Sequence, residues 1–334
     1  MKRIIAFLTF CALALTGCGL TQTPELQTKA FFAMDTAMVL SAYGKESLLQ
    51  QAEQQIIALE QKLSVTDPDS EISALNRNRS GTVSTETAEL LSSALELCRR
   101  TEGALDISIY PVVREWGFTT GEYQVPDRLV LEEALRRVDY TKVILKEDNS
   151  VVLAPSMQID LGSVAKGYTG DTVLSFLEES GVSSAILNLG GNVQTLGTKP
   201  DGSLWRVGIA APSGEGYAGA VDVAGKAVIT SGGYQRYFEK EGKTYCHIID
   251  PSTGCPVENG LLSVTVIGES GLVCDALSTG LFIMGLERGA DLWRGSDDFE
   301  AIFITEKGIT ITAGLEECFC PDGAYRDAEV TVLH

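Results

Sequence analysis

Asp160-Leu161-Gly162-Ser163-Val164-Ala165-Lys166-Gly167-Tyr168 passes from extended chain through a glycine into a helical pattern. Such a turn aims free backbone N–H groups and a small hydroxyl at one point, a geometry that holds anions. An ordinary strand-to-helix connection with Asp160 near the cap fits the same residues. Asp275-Ala276-Leu277-Ser278-Thr279 sets a carboxylate and two hydroxyls at i, i+3 and i+4, on one face of the helix opening there. One carboxylate with hard oxygen donors suits Mg²⁺, which keeps several waters and shares phosphate oxygens of its substrate. The competing reading has Asp275 capping its own helix while Ser278 and Thr279 pack inside.

The chain has two histidines, and His334 is its last residue, so His247 is the imidazole available inside the fold. It enters a Pro/Gly turn, Asp250-Pro251-Ser252-Thr253-Gly254, where a side chain titrating near neutrality could act as a general base. A hydrogen-bonded structural histidine is the alternative. Gly190-Gly191-Asn192, after a strand, permits close backbone approach to a ligand. Ser231-Gly232-Gly233-Tyr234-Gln235-Arg236-Tyr237-Phe238 sets small residues beside aromatics that could carry a flat ring or simply pack.

The elements that must position these groups are mixed in order. Ala30 to Tyr43 is strand-like, Ser47 to Leu63 is helical with Leu48, Leu49, Ala52, Ile56, Leu59 and Leu63 on one stripe, and Ser70 or Asp69 can cap a short helix. Helices are expected over Ser84–Thr101 and Asp127–Arg137, after the extended segment Met157–Asp160 to Glu179, over Cys274–Met284, and over Glu287–Arg294. Strand signals fill most of Ser184 to Thr265 and the closing segments. This order indicates an α+β fold with packed sheets and helices, without the regular alternation of a doubly wound sheet.

Met1-Lys2-Arg3, an apolar run from Ile4 to Leu15 and Leu15-Thr16-Gly17-Cys18 match a lipoprotein signal peptide over residues 1–17. The run is short of the roughly 20 residues that a membrane helix needs. The expectation is a lipid on Cys18, a polar tether over 18–29, and a catalytic domain over 30–334, anchored to the cell membrane on its extracytoplasmic side. Cleavage would remove two cations and take the formal charge from −19 to −21. That charge repels nucleic acid, so a phosphate-bearing ligand needs a cation or backbone N–H groups to hold it. Cys98, Cys246, Cys255, Cys274, Cys318 and Cys320 match no zinc or redox spacing and read as buried or free thiols.

In this order, Met34-Asp35-Thr36, Gly103-Ala104-Leu105-Asp106, Asp160 to Gly167, Asn188 to Asn192, Ser231 to Phe238, His247 to Pro251 and Asp275 to Thr279 resemble the ApbE family of FAD:protein FMN transferases, from Phe31 to the end. The resemblance implies a central cleft that binds FAD as substrate with Mg²⁺ on its pyrophosphate. The FMN part would pass to a threonine hydroxyl of a target protein, such as a membrane electron-transport subunit, with release of AMP. It also implies metal positions at Asp275, Thr279 and Ser278 with a contribution from the Ser163–Ala165 turn, flavin-nucleotide contacts at Met34, Ala104, Leu105, Asp106, Asp160, Lys166 and Ile248, and catalysis by His247. Two other readings use the same motifs: an FAD pyrophosphatase giving FMN and AMP, and a non-catalytic FAD-binding lipoprotein.

Overall fold

Alternation of burial sets the main sheet. In the strand Thr36–Tyr43, Met38, Leu40 and Ala42 are buried between more exposed neighbours. Its antiparallel partner is Leu26–Ala33, joined by a two-residue turn, Met34-Asp35, with φ of 48° and 57° at its two positions. Paired positive φ values give the mirror-image turn whose twist matches a hairpin. The computed structural model describes residues 25–334, so the expected signal peptide and Cys18 lie outside the described residues. The strand read over Ala30–Tyr43 is therefore a hairpin, and residues 26–29 of the expected tether belong to its outer strand. They read as tether because an edge strand with one covered face keeps polar residues at alternate positions.

Seven further strands extend the sheet: Ala185–Leu189, Asn192–Leu196, Ala227–Gly232, Leu261–Gly268, Phe299–Thr305, Gly308–Thr312 and Val330–Leu333. All neighbours are antiparallel except the last pair. Two three-stranded sheets and the hairpin Tyr237–Lys240/Lys243–Cys246 complete the strands among the described residues. The fold is α+β. Met157–Asp160 joins no sheet; the buried Asn76 side chain pairs with both the N–H and the C=O of Ile159 at 2.8 Å, which satisfies extended backbone in place of a neighbouring strand. No helix among the described residues is long and apolar enough to cross a membrane. Six cysteines, Cys98, Cys246, Cys255, Cys274, Cys318 and Cys320, are free thiols.

The helix Glu46–Leu63 buries Leu49, Ala52, Ile56, Leu59 and Leu63, the stripe its spacing predicts, with Leu48 half-buried beside it. At the C-terminal end the expected pair of helices is present: Gly271–Arg294, capped by Ser270, breaks at Gly285, whose φ of 81° and ψ of 173° are non-helical, and the first member starts three residues before the expected Cys274. Glycine tolerates that value without strain, so the chain bends there and resumes. Because the helix begins four residues before Asp275, that carboxylate is in its second turn and does not cap it.

The Gly271–Arg294 helix crosses Ala165–Glu179 at glycines. A Cβ added at Gly167 would lie 2.2 Å from the Gly271 carbonyl oxygen, and one at Gly271 would lie 1.9 Å from Gln194 Nε2. Backbone thus packs on backbone, which brings the two helix N-termini together. Gly167→Ala is expected to lower stability by about 1–3 kcal/mol, since the clash is with main chain that cannot rotate away. A urea titration would show this as a lower midpoint at unchanged slope; an unmoved midpoint would mean that the crossing has room to spare.

Candidate active site

The helix Ala165–Glu179 starts at Val164, whose side chain cannot cap it. The carboxylate that takes its free N–H comes from the neighbouring helix: Asp275 Oδ2 accepts from Gly167 N at 2.8 Å. The reverse also holds. Asp171 accepts from Gly271 N at 2.7 Å, Leu272 N at 3.0 Å and Ser270 Oγ at 3.0 Å. Each helix therefore carries the anion that closes the other's N-terminus, at the end where a negative charge is favoured. Burial pushes both carboxyls above the ordinary range, and for Asp275 the Lys166 charge and the Gly167 N–H oppose that rise. The Asn192 amide also stands beside Asp275 and helps hold its proton affinity down.

The first turn of the Ala165–Glu179 helix opens onto a cavity of about 690 Å³. Met34, Ala104, Leu105, Asp106, Asp160, Ser163, Ala165, Lys166, His247, Ile248, Asp275 and Thr279 all line it. Ser278 does not. It is fully buried, donates to the Asp275 carbonyl at 2.9 Å and lies 2.8 Å from Ser231 Oγ. Three residues along a helix separate a side chain from i by about 300°, enough here to turn the hydroxyl into the helix–sheet seam. Since Ser278 gives its proton to a carbonyl, Ser231 must donate to Ser278. Thr279, 3.2 Å from Ser231, then donates to Ser231. Its oxygen is left with lone pairs on a residue that lines the cavity, one turn from Asp275.

His247 follows the strand Lys243–Cys246 and is half-buried, edge-on to Phe118 at 6.3 Å. Its Nδ1 lies 3.2 Å from the Arg236 carbonyl oxygen, which can only accept. The proton is therefore on Nδ1, and Nε2 is the basic nitrogen. Burial, then the charges of Arg236 and Lys166, push the imidazole down to about 4, so it is neutral at pH 7.

Other walls are held by contacts that sequence does not reveal. Met34 keeps its positive φ while donating its N–H to Glu60 Oε1 at 2.8 Å. Asp106 accepts from Ser108 N, Ser108 Oγ and Tyr140 N, which folds its loop, and burial still pushes its carboxyl up. Asp160 accepts from Gly162 N at 2.8 Å and is likewise pushed up by burial. Trp116 Nε1 donates to Gly254 O at 2.7 Å and pins the turn after Ile248. The expected ring platform is different: from Ser231 to Phe238 only Ser231, Gln235 and Arg236 line the cavity, while Phe238 stacks on Tyr123 and Tyr245 and Tyr234 packs against Gly232. Sequence reading missed Asp171, Asn76, Glu60 and Gln194; each acts on a partner distant in the chain and has no local motif.

Five carboxylates (Asp35, Glu60, Asp106, Asp160, Asp275) and two cations (Lys166, Arg236) line the cavity. A dianionic ligand would need added positive charge there. No group of three or more His, Cys, Asp or Glu able to hold a metal occurs among the described residues. The donor set that fits is the Asp275 carboxylate and the Thr279 oxygen, one turn apart on the cavity wall, which suits a hard cation sharing its ligand's oxygens.

The ApbE family model matches residues 34–303. A Klebsiella pneumoniae (strain 342) protein named FAD:protein FMN transferase is 34% identical over 308 residues, 89% of this chain and 96% of that one. The crystal structure of the ApbE protein of Thermotoga maritima aligns with TM-score 0.83 at 28% identity, over 88% of this chain and 99% of that one. The apo form of the Pseudomonas stutzeri flavinyl transferase ApbE aligns with TM-score 0.80 at 30% identity, over 89% and 98%.

The charge reading of His247 is directly measurable, because the chain has only two histidines to resolve by NMR. A nearby cation disfavours the protonated imidazole. Arg236→Ala is therefore expected to move the His247 titration from about pH 4 to higher pH, leaving His334 in place; an unshifted His247 would remove Arg236 as a cause.

Proposed function

From the premise that this chain belongs to the ApbE family, we propose that it is an FAD:protein FMN transferase that moves the FMN part of FAD to a threonine hydroxyl of a target protein and releases AMP. The observation that carries this reading is the convergence, in one cavity, of a neutral imidazole with a basic Nε2, the first turn of the Ala165–Glu179 helix with Lys166, and the Asp275/Thr279 oxygens. Phosphoryl transfer relies on positioning and charge stabilisation, and those are the resources assembled here.

The FAD pyrophosphate lies at the N-terminus of the Ala165–Glu179 helix, with Lys166 and Arg236 facing its charge. Asp275 and Thr279, with a contribution from the Ser163–Ala165 turn, would hold Mg²⁺; when bound, the ion supplies neutralisation of pyrophosphate charge. His247 Nε2 takes the proton of the threonine hydroxyl as its oxygen attacks the FMN-side phosphorus. A new P–O bond to threonine forms, the bridging P–O bond breaks, and AMP departs with the bridging oxygen. The flavin-nucleotide contacts expected of Met34, Ala104, Leu105, Asp106, Asp160 and Ile248 are supported by their common position on the cavity wall.

The target would be an exported subunit of a membrane electron-transport system. The sequence of residues 1–18 supports a lipid on Cys18 that holds the domain to the outer face of the cell membrane. Cys18→Ser is expected to release active protein into the soluble extracytoplasmic fraction, and a variant still bound to membranes would rule out the anchor.

Intact-mass measurement of a threonine-bearing acceptor domain, incubated with the protein, FAD and Mg²⁺, tests the reaction. The expected result is a gain of one FMN less water with equimolar AMP, both abolished by chelation. His247→Ala should keep FAD binding and lose about two to four orders of magnitude in rate. Free FMN and AMP with an unmodified acceptor would replace the reading with a pyrophosphatase, and wild-type rates from His247→Ala would remove the base.

A further inference from the structure

In the strand Asn192–Leu196, Asn192 and Gln194 are two residues apart and point to the same face of the sheet. Gln194 has a partner: its Nε2 donates to the Gly167 carbonyl at 2.9 Å, and its amide fills the space that Gly170 and Gly271 leave. Asn192 is held as firmly, paired with Leu189 on one side and Ile229 on the other, and is only 4% exposed. Its Nδ2, however, is buried without any hydrogen-bond partner.

An unpaired buried donor is destabilising, a cost that an apolar residue at the same place would avoid. Two observations indicate what the donor serves. Asn192 lines the cavity, and the group its amide stands beside is the Asp275 carboxylate. Asp275 has one oxygen on the Gly167 N–H at 2.8 Å, and nothing on its own helix fixes the other. We propose that Asn192 is a positioning residue for Asp275: its Nδ2–H, unpaired while the cavity holds no cation, meets the carboxylate when a divalent cation is bound, so that one oxygen stays on the helix N-terminus while the other faces the cation. This rests on the cation site read in the preceding subsection, and extends it to a residue on a different element.

Outer partners that orient a ligating carboxylate change metal affinity by about 10- to 100-fold when removed. A space-filling role makes the opposite prediction, because the loss would then fall on stability alone. The test uses Mn²⁺ as the probe and reads its dissociation constant by electron paramagnetic resonance on the full-length protein without FAD. Asn192→Leu and Asn192→Ala should each weaken Mn²⁺ binding by about tenfold or more, and metal-free Asn192→Leu should melt no lower than wild type. Wild-type protein that binds Mn²⁺ as tightly as both variants would overturn the proposal, and so would a lower melting temperature of metal-free Asn192→Leu at unchanged affinity. Wild-type protein that binds no Mn²⁺ would instead overturn the cation site itself, and this inference with it.

Discussion

Two helices close each other. The Ala165–Glu179 helix begins at a valine and has no cap of its own, so its first free N–H depends on Asp275; the Gly271–Arg294 helix depends in turn on Asp171. The exchange is possible only because Gly167 and Gly271 let the two backbones meet. An uncapped buried helix end would leave orphan donors in a water-poor interior. Stability and the site are thus built from the same contact, since the carboxylate that closes one helix also lines the cavity.

The hydroxyl relay from Thr279 through Ser231 and Ser278 to the Asp275 carbonyl follows from that crossing. It orients three protons away from the cavity and leaves Thr279 as an acceptor beside the carboxylate. The base is set up by a similar economy: one main-chain carbonyl, that of Arg236, fixes the His247 tautomer, and the side chain of the same residue helps keep the ring neutral. In a strongly acidic protein the local positive potential comes from backbone dipoles and two side chains, Lys166 and Arg236, and the excess of carboxylates around the cavity favours a bound cation.

Much of this was legible in the sequence where the signal is local. The stripe of the Glu46–Leu63 helix, the Ser70 cap, the Gly-containing entry to Lys166 and the spacing of Asp275 and Thr279 all depend on neighbours within one or two turns. The ordered motifs identified the family, and through it the residues that the fold gathers around one cavity. Where the reading slipped, a distant contact had decided the outcome. Residues 26–29 became strand because Leu40 to Tyr43 pair with them, and Phe238 stacks on Tyr123 and Tyr245 instead of lining the cavity.

The sequence by itself determined the chemical inventory: one interior imidazole, one carboxylate with a hydroxyl a turn away, glycines at the helix entry, and a net charge that demands a cation for any phosphate ligand. Tertiary structure alone decided what each of them faces. Asp275 could have capped its own helix, and Ser278 could have joined Thr279; a helix start four residues earlier and a serine on a strand forty-seven positions away settled both. The physical reason is that a side chain's role depends on which unsatisfied donor or acceptor packing brings within about 3 Å, and partners such as Asp171 and Gly271, one hundred residues apart, leave no periodicity in the chain.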